Sequence, residues 1–450
     1  MLSEIELNKI LGTNLKQIHV NDIHWKAQDS TSTSILFYKF SENKNSTLLF
    51  ESRIQTSMFS LLIVNMDHAA LPVNSQVISE DKWPEIQKQI LDIIYPQPRL
   101  KLLAVTGTNG KTTTTDLALQ LGHLAGKKCL SIGTLGVREY QNEILDFGQT
   151  TPSFIDLRKY LNLHGKDKDF CVIEASSHAL VQERFYKINF SAAGWPSFSQ
   201  DHLDFHNSME EYFKAKCLIF NLLDQNANLY VPREQDELFN KLLKINYKTT
   251  RTESIEMELP LFLRTTFNKN NLEVAINMVE AALGIEVKSY VNKLISPEGR
   301  FYIKSYRSNY IVVDFAHTPD ALINICKGIK ESFPKHKLKV LFGCGGDRDR
   351  SKRPLMAQAA EIYCEDIYVT SDNPRSENPD TIIDDIVKGF ERTNYVRITS
   401  RPEAVKIAFS ELKENEVLLL AGKGHEDYIL INGIKYPYSD IEEVEKFVKG

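Results

Sequence analysis

The sequence contains no long apolar segment of the kind that crosses a membrane or directs secretion. Its opening residues, MLSEIELNKILG, carry an acidic residue early and no continuous apolar core, so neither a signal peptide nor a membrane span is predicted. The six cysteines include no CxxC pair, which favours buried thiols in a reducing compartment over disulfides or a zinc site. Solenoid repeats and low-complexity tracts are also absent. The expectation is a cytoplasmic globular protein.

Charge and length narrow the class further. The 450 residues carry a formal net charge of −5, and the Lys and Arg residues are spread along the chain. This distribution argues against a nucleic-acid scaffold, so the expected partners are small-molecule substrates, with no nucleic acid and no membrane. The charged fraction of 25% is ordinary for a globular protein, and the length corresponds to about two to four domains. We expect a monomer.

The most informative stretch is residues 102–115, LLAVTGTNGKTTTT. The apolar run predicts a buried strand, the Gly/Thr/Asn turn predicts a loop, and a helix is expected to begin near Lys111. Backbone N–H groups of such a loop bind phosphate, and Lys111 adds positive charge for the outer phosphates of ATP. The Thr112 hydroxyl is a candidate Mg²⁺ ligand. The predicted nucleotide-binding residues of the loop are Gly107, Thr108, Asn109, Gly110, Lys111, Thr112 and Thr113.

This stretch is an incomplete phosphate-loop motif. The usual pattern has a glycine five positions before Gly110, where this chain has Val105. An ordinary strand–turn–helix with a glycine-rich turn is therefore the alternative interpretation. The apolar strand before the GKT sequence favours nucleotide binding.

Alternating strands and helices predict the fold class. Two prolines in residues 95–99, YPQPR, indicate a linker, because proline resists both helix and central strand. We predict an α/β protein with three domains. These are a small α/β domain over 1–97, a central phosphate-loop ATPase-like domain with a parallel sheet over 98–294, and a Rossmann-like α/β domain over 295–450.

The individual elements follow from short apolar runs. The first domain contains apolar-rich runs over 34–40, 47–50 and 60–64. In the second, we predict helices over 112–125 and 154–162 and strands over 129–132 and 170–173. In the third, strands are predicted over 310–314, 338–342, 367–370, 396–398 and 417–420, with helices from residues 319, 354, 381 and 402. Unusual polar residues follow these strands, where ligands bind in parallel sheets.

Polar stretches of the central region are candidates for metal or nucleotide binding. Glu174 begins EASSHAL and suits a Mg²⁺ ligand, since the GxSxG pattern of a serine hydrolase is absent; a helix-capping cluster is the alternative. His202 lies in SQDHLDFH, which fits metal binding or a polar turn. Asn268 and Asn271 lie three apart at a helix start and suit purine recognition or N-capping. Lys216, in a helix-like stretch, by itself indicates a solvated side chain.

The last third of the chain contains several polar loops. They are PEGRF (297–301), DFAHTPD (314–320), GCGGDRDRSKRP (343–354), DNPR (372–375) and GKGHE (422–426). Any single one is consistent with a simple turn. Together they predict a domain that closes over a polar substrate. Arg375 offers a planar guanidinium, which suits the binding of a carboxylate.

In order and spacing, the motifs resemble those of the Mur ligase family, the ATP-dependent amino-acid ligases of peptidoglycan precursor synthesis. The resemblance is greatest to the members that add the third amino acid, and it covers roughly residues 100–430. The matching motifs are TGTNGKTT, TTP (150–152), EASSHALVQER, DHLDFH, EYFKAK, FNKNN, EGRF, DFAHTPDAL, FGCGGDRDRSKRP, TSDNPR and AGKGHE.

The resemblance implies a reaction. ATP, with Mg²⁺, phosphorylates the free carboxylate of UDP-N-acetylmuramoyl-L-alanyl-D-glutamate, and an incoming amine displaces phosphate from the acyl phosphate. The implied catalytic residues are Lys111, Glu174, His202 and Lys216. The implied metal-linked residues are Thr112, Glu174, His202 and Lys216, the last as a carbamylated lysine. The implied nucleotide contacts outside the loop are Asn268, Asn271, Arg300 and Asp314.

The resemblance also assigns the other substrates. The positions that match the muramoyl-dipeptide site are Thr150, Thr151, Ser176, Gln182 and Arg184. In this family the DNPR sequence accompanies meso-diaminopimelate, whose second carboxylate needs a cation. The implied amino-acid pocket consists of Arg348, Asp372, Asn373, Pro374, Arg375, Gly422 and Glu426.

The first domain departs from the family pattern. The DSR and PG-containing segments that hold the uridine have no matching Ser, Arg, Pro or Gly here, and Gln200 replaces an Arg before Asp201. A family member that uses a different acceptor, or one that adds lysine, is therefore an alternative. A nucleotide-binding regulator without catalysis is a further alternative, which the joint presence of Lys111, Glu174, His202 and Lys216 argues against.

Overall fold

The structure, a computed structural model, describes residues 2–40, 53–54 and 57–449. The chain divides into two compact units. The first unit comprises residues 1–104, 127–191 and 218–226, and the second comprises 105–126, 192–217 and 227–450. The apolar run 47–50 lies outside the described residues. In the part of the chain that the structure describes, no helix is long and apolar enough to cross a membrane.

The strands are short and mostly buried, as parallel sheets require. In chain order they are β1 (Asp22–His24), β2 (Ser34–Tyr38), β3 (Leu61–Val64), β4 (Ser75–Val77), β5 (Lys101–Val105), β6 (Cys129–Gly133), β7 (Gly136–Glu139), β8 (Asn142–Leu145), β9 (Phe170–Glu174), β10 (Ala192–Gly194), β11 (Leu229–Val231), β12 (Thr249–Arg251), β13 (Tyr302–Tyr306), β14 (Asn309–Asp314), β15 (Lys337–Phe342), β16 (Asp366–Val369), β17 (Tyr395–Arg397), β18 (Glu416–Ala421), β19 (Tyr428–Ile431) and β20 (Ile434–Pro437).

Helices alternate with these strands. In chain order they are α1 (Glu4–Leu11), α2 (Trp83–Ile94), α3 (Lys111–Leu124), α4 (Phe154–His164), α5 (Ser177–Val181), α6 (Leu203–His206), α7 (Met209–Cys217), α8 (Asp236–Lys244), α9 (Thr266–Leu283), α10 (Pro319–Ser332), α11 (Lys352–Tyr363), α12 (Pro379–Val387), α13 (Arg401–Ser410) and α14 (Asp440–Lys449).

The first unit contains a four-stranded parallel sheet in the order β1-β2-β3-β4. Elsewhere in this unit β6 pairs in parallel with β9 and begins the antiparallel run β6-β7-β8. The segment after α2 is fixed by polar contacts. The buried Arg158 of α4 donates to Asp92 and to the carbonyl of Tyr95, and Asn162 donates to the carbonyl of Pro96 at 2.7 Å. The proline-rich 95–99 stretch is thus tied to α4.

The second unit contains the loop that leads into α3. Strands β10, β11 and β12 run parallel, and α9 packs against α3 and β10. Helix α9 begins after Thr265, whose side chain accepts a hydrogen bond from the N–H of Asn268, and ends at Gly284 in the left-handed conformation.

The same unit contains a six-stranded sheet in the order β13-β14-β18-β15-β16-β17. It is parallel except for the β13–β14 pair. Strand β18 lies between β14 and β15, so the chain reverses its direction of travel across the sheet there. Ligands in open α/β sheets bind at such a point, outside the carboxyl ends of the strands. Asp314 and Gly422 lie at that edge.

The predicted α/β class is confirmed, and every predicted strand and helix of residues 102–420 is present within about two residues, the usual uncertainty at element ends. The antiparallel strands β7, β8, β13, β19 and β20 were not predicted. Of the six cysteines, five are buried and Cys344 is partly exposed. All are free thiols, as the sequence indicates.

Candidate active site

The loop between β5 and α3 is shaped by two glycines. Gly107 has φ 136° and Gly110 has φ 85°, both in the region that side chains disfavour. A Cβ at Gly110 would lie 2.2 Å from Asn271 Oδ1, so no larger residue fits without movement. Gly110 is also the N-cap of α3, whose first N–H groups lack helical acceptors. This geometry forms an anion-binding helix start, with the buried Thr113 in its first turn.

Two lysines converge on the loop. Lys111 Nζ donates to the carbonyls of Gly107 and Thr108 at 2.9 and 2.8 Å. Lys216 Nζ, on α7, donates to the same Gly107 carbonyl at 2.7 Å. The Lys216 side chain is 1% exposed, and burial together with the charge of Lys111 holds its pKa well below the ordinary value. The sequence-based interpretation of Lys216 as a solvated side chain is therefore wrong.

Residues 199–202 lie beside the loop. The Thr108 hydroxyl donates to the carbonyl of Ser199 and accepts from its N–H, each at 3.0 Å. His202 has φ 54° and precedes the one-turn helix α6, so the stretch is a turn. His202 Nε2 lies 3.5 Å from Asp201 Oδ2, and Lys352 Nζ lies 2.5 Å from Asp201 Oδ1. Burial alone would raise the pKa of Asp201, but His202 and Lys352 hold it below its usual range.

The candidate nucleotide contacts of α9 are buried amides. Asn268 donates to the carbonyl of Phe262 at 2.7 Å and accepts from Asn271 at 3.3 Å. Because Thr265 is the N-cap, the capping interpretation of these asparagines is wrong.

Arg300 precedes β13 and Asp314 ends β14, at the carboxyl edge of the six-stranded sheet. Arg300 Nη2 donates to Thr112 Oγ1 at 3.3 Å, and its guanidinium lies 4.5 Å from the Phe315 ring centroid. Asp314 Oδ2 accepts from the N–H of Phe301 at 2.8 Å. Burial raises the pKa of Asp314, and Arg300 opposes this effect. The structure thus brings Arg300 to the phosphate loop.

In the first unit, Glu174 ends β9 with its carboxylate held by Thr134. The N–H of Thr134 donates to Oε1 at 2.8 Å and its hydroxyl donates to Oε2 at 3.2 Å. A Cβ at Gly133 would lie 2.2 Å from Glu174 Oε1, so the glycine makes room for the carboxylate. Glu174 is 1% exposed.

The five candidate dipeptide-binding residues cluster around this strand end. The Thr150 hydroxyl lies 3.3 Å from that of Thr134. The Thr151 hydroxyl donates to the Glu174 carbonyl at 2.7 Å and lies 3.1 Å from the Ser176 hydroxyl. Ser176 accepts from the N–H of Ala179 and so caps α5, as the capping interpretation expected. In a further contact, Arg184 donates to Gln182 Oε1 at 2.7 Å and to the carbonyl of Thr151.

In the second unit, Arg375 lies at the carboxyl edge of the six-stranded sheet. Its backbone has φ 53° and forms a bridge with Ile431 of β19. Its guanidinium donates to the carbonyl of Gly346 at 2.6 Å. Burial and the nearby charge of Arg348 lower the pKa of Arg375. A Cβ at Gly346 would lie 2.0 Å from the carbonyl of Pro374, so the glycine-rich loop packs directly on DNPR.

The other candidate amino-acid residues gather around a lysine. Lys423 Nζ lies 3.2 Å from Asp372 Oδ1, 3.0 Å from Asn373 Oδ1 and 3.1 Å from Glu426 Oε2. Gly422 has φ 110°, and its N–H donates to the carbonyl of Asp314 at 3.0 Å.

Four residues of these clusters were not predicted as site residues. Asp320 accepts from Asn109 and from Ser199, each at 2.8 Å. The others are Asp201, Lys352 and Lys423. All four stand inside quoted motifs, and each has a partner distant in sequence. Asp320 bonds Asn109, Asp201 pairs with Lys352, and Lys423 bonds Asn373, so adjacency in the sequence did not indicate these contacts. Among the described residues, no three His, Cys, Asp or Glu side chains gather as a metal site would require.

The fold and the loop geometry define an α/β protein with a phosphate-binding loop at the start of a helix. The Mur ligase middle-domain model matches residues 105–289, and the model for the Mur ligase glutamate-ligase domain matches 299–424. The chain therefore belongs to the Mur ligase family. Members of this family are ATP-dependent amide ligases, and the chain is an enzyme of that class.

Individual relatives agree with the family assignment. A UDP-N-acetylmuramoyl-L-alanyl-D-glutamate–2,6-diaminopimelate ligase of Clostridium acetobutylicum is 37% identical over 79% of each chain. A solved structure of a ligase with the same name is 27% identical, with a TM-score of 0.63 over 98% of each chain. The MurF ligase of Thermotoga maritima, solved in complex with ADP, has a TM-score of 0.63 at 13% identity over 91% of this chain and 96% of its own. This last likeness concerns the fold alone.

Proposed function

We propose that the chain uses ATP and Mg²⁺ to join meso-diaminopimelate to UDP-N-acetylmuramoyl-L-alanyl-D-glutamate in peptidoglycan precursor synthesis. The observation that carries this proposal is Arg375, half-buried beside Arg348 at the carboxyl edge of the sheet, in a chain whose relatives are named as diaminopimelate ligases. Two guanidiniums there suit a substrate that brings a second carboxylate. The reaction belongs in the cytoplasm, where such nucleotide-linked precursors are made, and we propose a monomer.

The phosphate loop fits a nucleotide. Gly110 leaves no space for a side chain, so backbone N–H groups and Lys111 would hold the phosphates of ATP. ATP supplies the phosphoryl group that activates the substrate carboxylate. Arg300 and Asp314, together with the α9 amides Asn268 and Asn271, are the proposed contacts for the rest of the nucleotide.

The proposed Mg²⁺-linked residues are two oxygen donors, one imidazole and one lysine that modification would turn into an oxygen donor. In the second unit Thr112 contributes a hydroxyl and His202 an imidazole, and in the first unit Glu174 contributes a carboxylate. Lys216 would contribute a carbamate. Burial and the charge of Lys111 lower the pKa of its amine, which favours the neutral form. A neutral amine attacks CO₂, and loss of one proton gives a carbamate anion.

The proposed acceptor site consists of the Thr150, Thr151, Ser176, Gln182 and Arg184 cluster of the first unit. Four of these residues already bond one another and Thr150 bonds Thr134, so the cluster is oriented before substrate arrives. In the amino-acid pocket, Arg375 would bind the distal carboxylate and Glu426 would hold an ammonium.

The incoming amine then attacks the acyl phosphate, an amide bond forms, and phosphate leaves. The three-domain division at 97/98 and 294/295 is part of this proposal.

A phosphate-release assay tests the assignment. The purified chain is given ATP, Mg²⁺ and UDP-N-acetylmuramoyl-L-alanyl-D-glutamate with either meso-diaminopimelate or lysine. We expect amino-acid-dependent release with diaminopimelate and a much higher KM for lysine. A preference for lysine would overturn the amino-acid assignment, and absence of turnover with every amino acid would revive the non-catalytic alternative.

One observation favours a second candidate, a ligase for a different acceptor. Where the family pattern places its uridine-holding residues, the Asp22 carboxylate is bound by Lys159 at 2.7 Å, by Tyr95 at 2.9 Å and by His24 at 3.0 Å. These bonds hold the Asp22 carboxylate to protein partners, while the Ser and Arg of the family pattern have no counterpart here. Titrating the chain with the UDP-linked dipeptide by calorimetry separates the candidates, since absence of binding favours the different acceptor.

A further inference from the structure

Lys423 is a fully buried lysine at the end of β18, with 0% of its side chain exposed. An ammonium in such a place is stable only when acceptors surround it. Lys423 donates to Asn373 Oδ1 at 3.0 Å and to Glu426 Oε2 at 3.1 Å, and the Asp372 carboxylate forms an ion pair with it at 3.2 Å. Each of them belongs to the proposed amino-acid pocket, whereas no role follows for Lys423 from the proposed chemistry itself.

Lys423, together with a backbone N–H, fixes which way the Asn373 amide faces. An ammonium only donates, so Asn373 must present Oδ1 to it, and the N–H of Leu430 donates to the same oxygen at 2.9 Å. Asn373 Nδ2 therefore faces Glu426 and donates to Oε2 at 2.8 Å. Among the described residues, no further bond is made by the second N–H of Asn373 or by Glu426 Oε1. One donor and one acceptor, both oriented, are left for an amino-acid substrate.

Lys423 also balances charge. Asp372 and Glu426 lie close enough to Arg375 to raise its pKa against the effects of burial and Arg348. Without Lys423 these two carboxylates would offset the two guanidiniums. Lys423 adds one positive charge against these two carboxylates, so the two guanidiniums are offset less, which suits a ligand that carries a second carboxylate.

We propose that Lys423 is a positioning residue of the amino-acid pocket, which orients Asn373 and Glu426 and biases the pocket toward amino acids with a second carboxylate. This rests on the proposed function, since that function assigns the pocket to diaminopimelate. Lys423 touches no substrate in this scheme. It acts through the two side chains that do.

Substitution of Lys423 by methionine, which keeps the length and removes the ammonium, tests the proposal. We expect the KM for diaminopimelate to rise about 100-fold, because misplaced binding groups cost about that much. kcat and the KM values for ATP and the UDP-linked dipeptide should change little. The diaminopimelate-over-lysine preference should fall. Lys406→Met, an exposed position of α13, is the matched control and should behave as the unmutated chain.

A second variant and a direct structural readout complete the test. Lys423→Gln keeps hydrogen-bond donors without the charge, so it is used if the methionine variant fails to fold, and it too should lose the preference for diaminopimelate. A crystal structure of either variant should show the Asn373 amide or the Glu426 carboxylate turned from its present position. Unmoved side chains, or a diaminopimelate KM within twofold, would overturn the proposal. If the unmutated chain has no amino-acid-dependent turnover, the proposed function fails, and the crystal comparison still decides the positioning role.

Discussion

Replacing Asp440 with asparagine is expected to destabilise the second unit strongly. Asp440 begins α14 and is bound by Arg401 Nε at 3.0 Å, by Arg401 Nη2 at 2.6 Å and by the Tyr438 hydroxyl at 2.8 Å. Both charged side chains are 0% exposed. Arg401 Nη2 also donates to the carbonyl of Ala421 at the end of β18, so the pair ties two helices to that strand.

The expected magnitude follows from what asparagine leaves unpaired. Its amide offers one acceptor oxygen, and its NH₂ group would face the guanidinium as a second donor. Arg401 would lose the carboxylate that raises its pKa, so burial of its guanidinium would no longer be compensated, and Nη1 already lacks a hydrogen bond. Removing one partner of a buried pair costs about 3–5 kcal/mol. For domains of this size that corresponds to a fall in Tm of ~10 °C.

Thermal unfolding followed by circular dichroism checks this value. Asp384→Asn is the matched control, since Asp384 pairs with Arg397 on the surface of the same unit, and exposed pairs contribute about 0–1 kcal/mol. The two variants should therefore differ by several degrees. If Asp440→Asn melted within 2 °C of Asp384→Asn, the ion pair would not be the stabilising feature that its burial indicates.

Three shorter predictions concern binding and pH. Arg375→Ala should raise the KM for diaminopimelate about 10–100-fold, the value of a charged hydrogen bond, and leave that for lysine nearly unchanged in steady-state assays. Gly110→Ala should raise the KM for ATP at least about tenfold, because its Cβ meets an amide oxygen at 2.2 Å, whereas Gly126→Ala, also at positive φ but with open space around it, should not. A hydrogen bond from Arg353 lowers the pKa of Glu377 to about 2, whereas the pKa in the unfolded chain is about 4.3. The stabilisation by Glu377 is thus complete above that unfolded value and is lost as pH falls through about 2. As the pH falls from the unfolded value toward about 2, the Tm difference between Glu377→Gln and the unmutated chain should therefore shrink. A difference that stays constant would refute the linkage.

Sequence patterns predicted the parallel strands well because these are buried on both faces. The run FCVI of β9 and the LLL of β18 are continuously apolar. A segment that is both short and apolar throughout is typical of a strand buried on both faces of a parallel sheet. The antiparallel strands were missed for the converse reason. Strand β8 is mostly exposed, and β20 is exposed throughout, so neither has the apolar run that indicates a strand.

The candidate site was predictable where a single local stretch makes it. The phosphate loop is of this kind, since its glycines, lysine and helix start are contiguous. The missed residues act through long-range partners: Lys352 meets Asp201 across 151 positions, and Asn109 meets Asp320 across 211. Sequence position alone contains no information on such contacts. These residues meet only because the fold places parts of the predicted third domain (295–450) beside the phosphate loop.

Two buried lysines, Lys216 and Lys423, show how burial separates residues that look alike in the sequence. Lys216 contacts one carbonyl and lies near a second cation, so its burial lowers the pKa and favours the neutral amine. Lys423 is surrounded by two carboxylates and an amide oxygen, which are the partners a charged ammonium needs. One lysine is therefore suited to chemical modification and the other to holding neighbouring groups in place. Exchanging their partners would reverse these roles, because the environment decides which protonation state is stable.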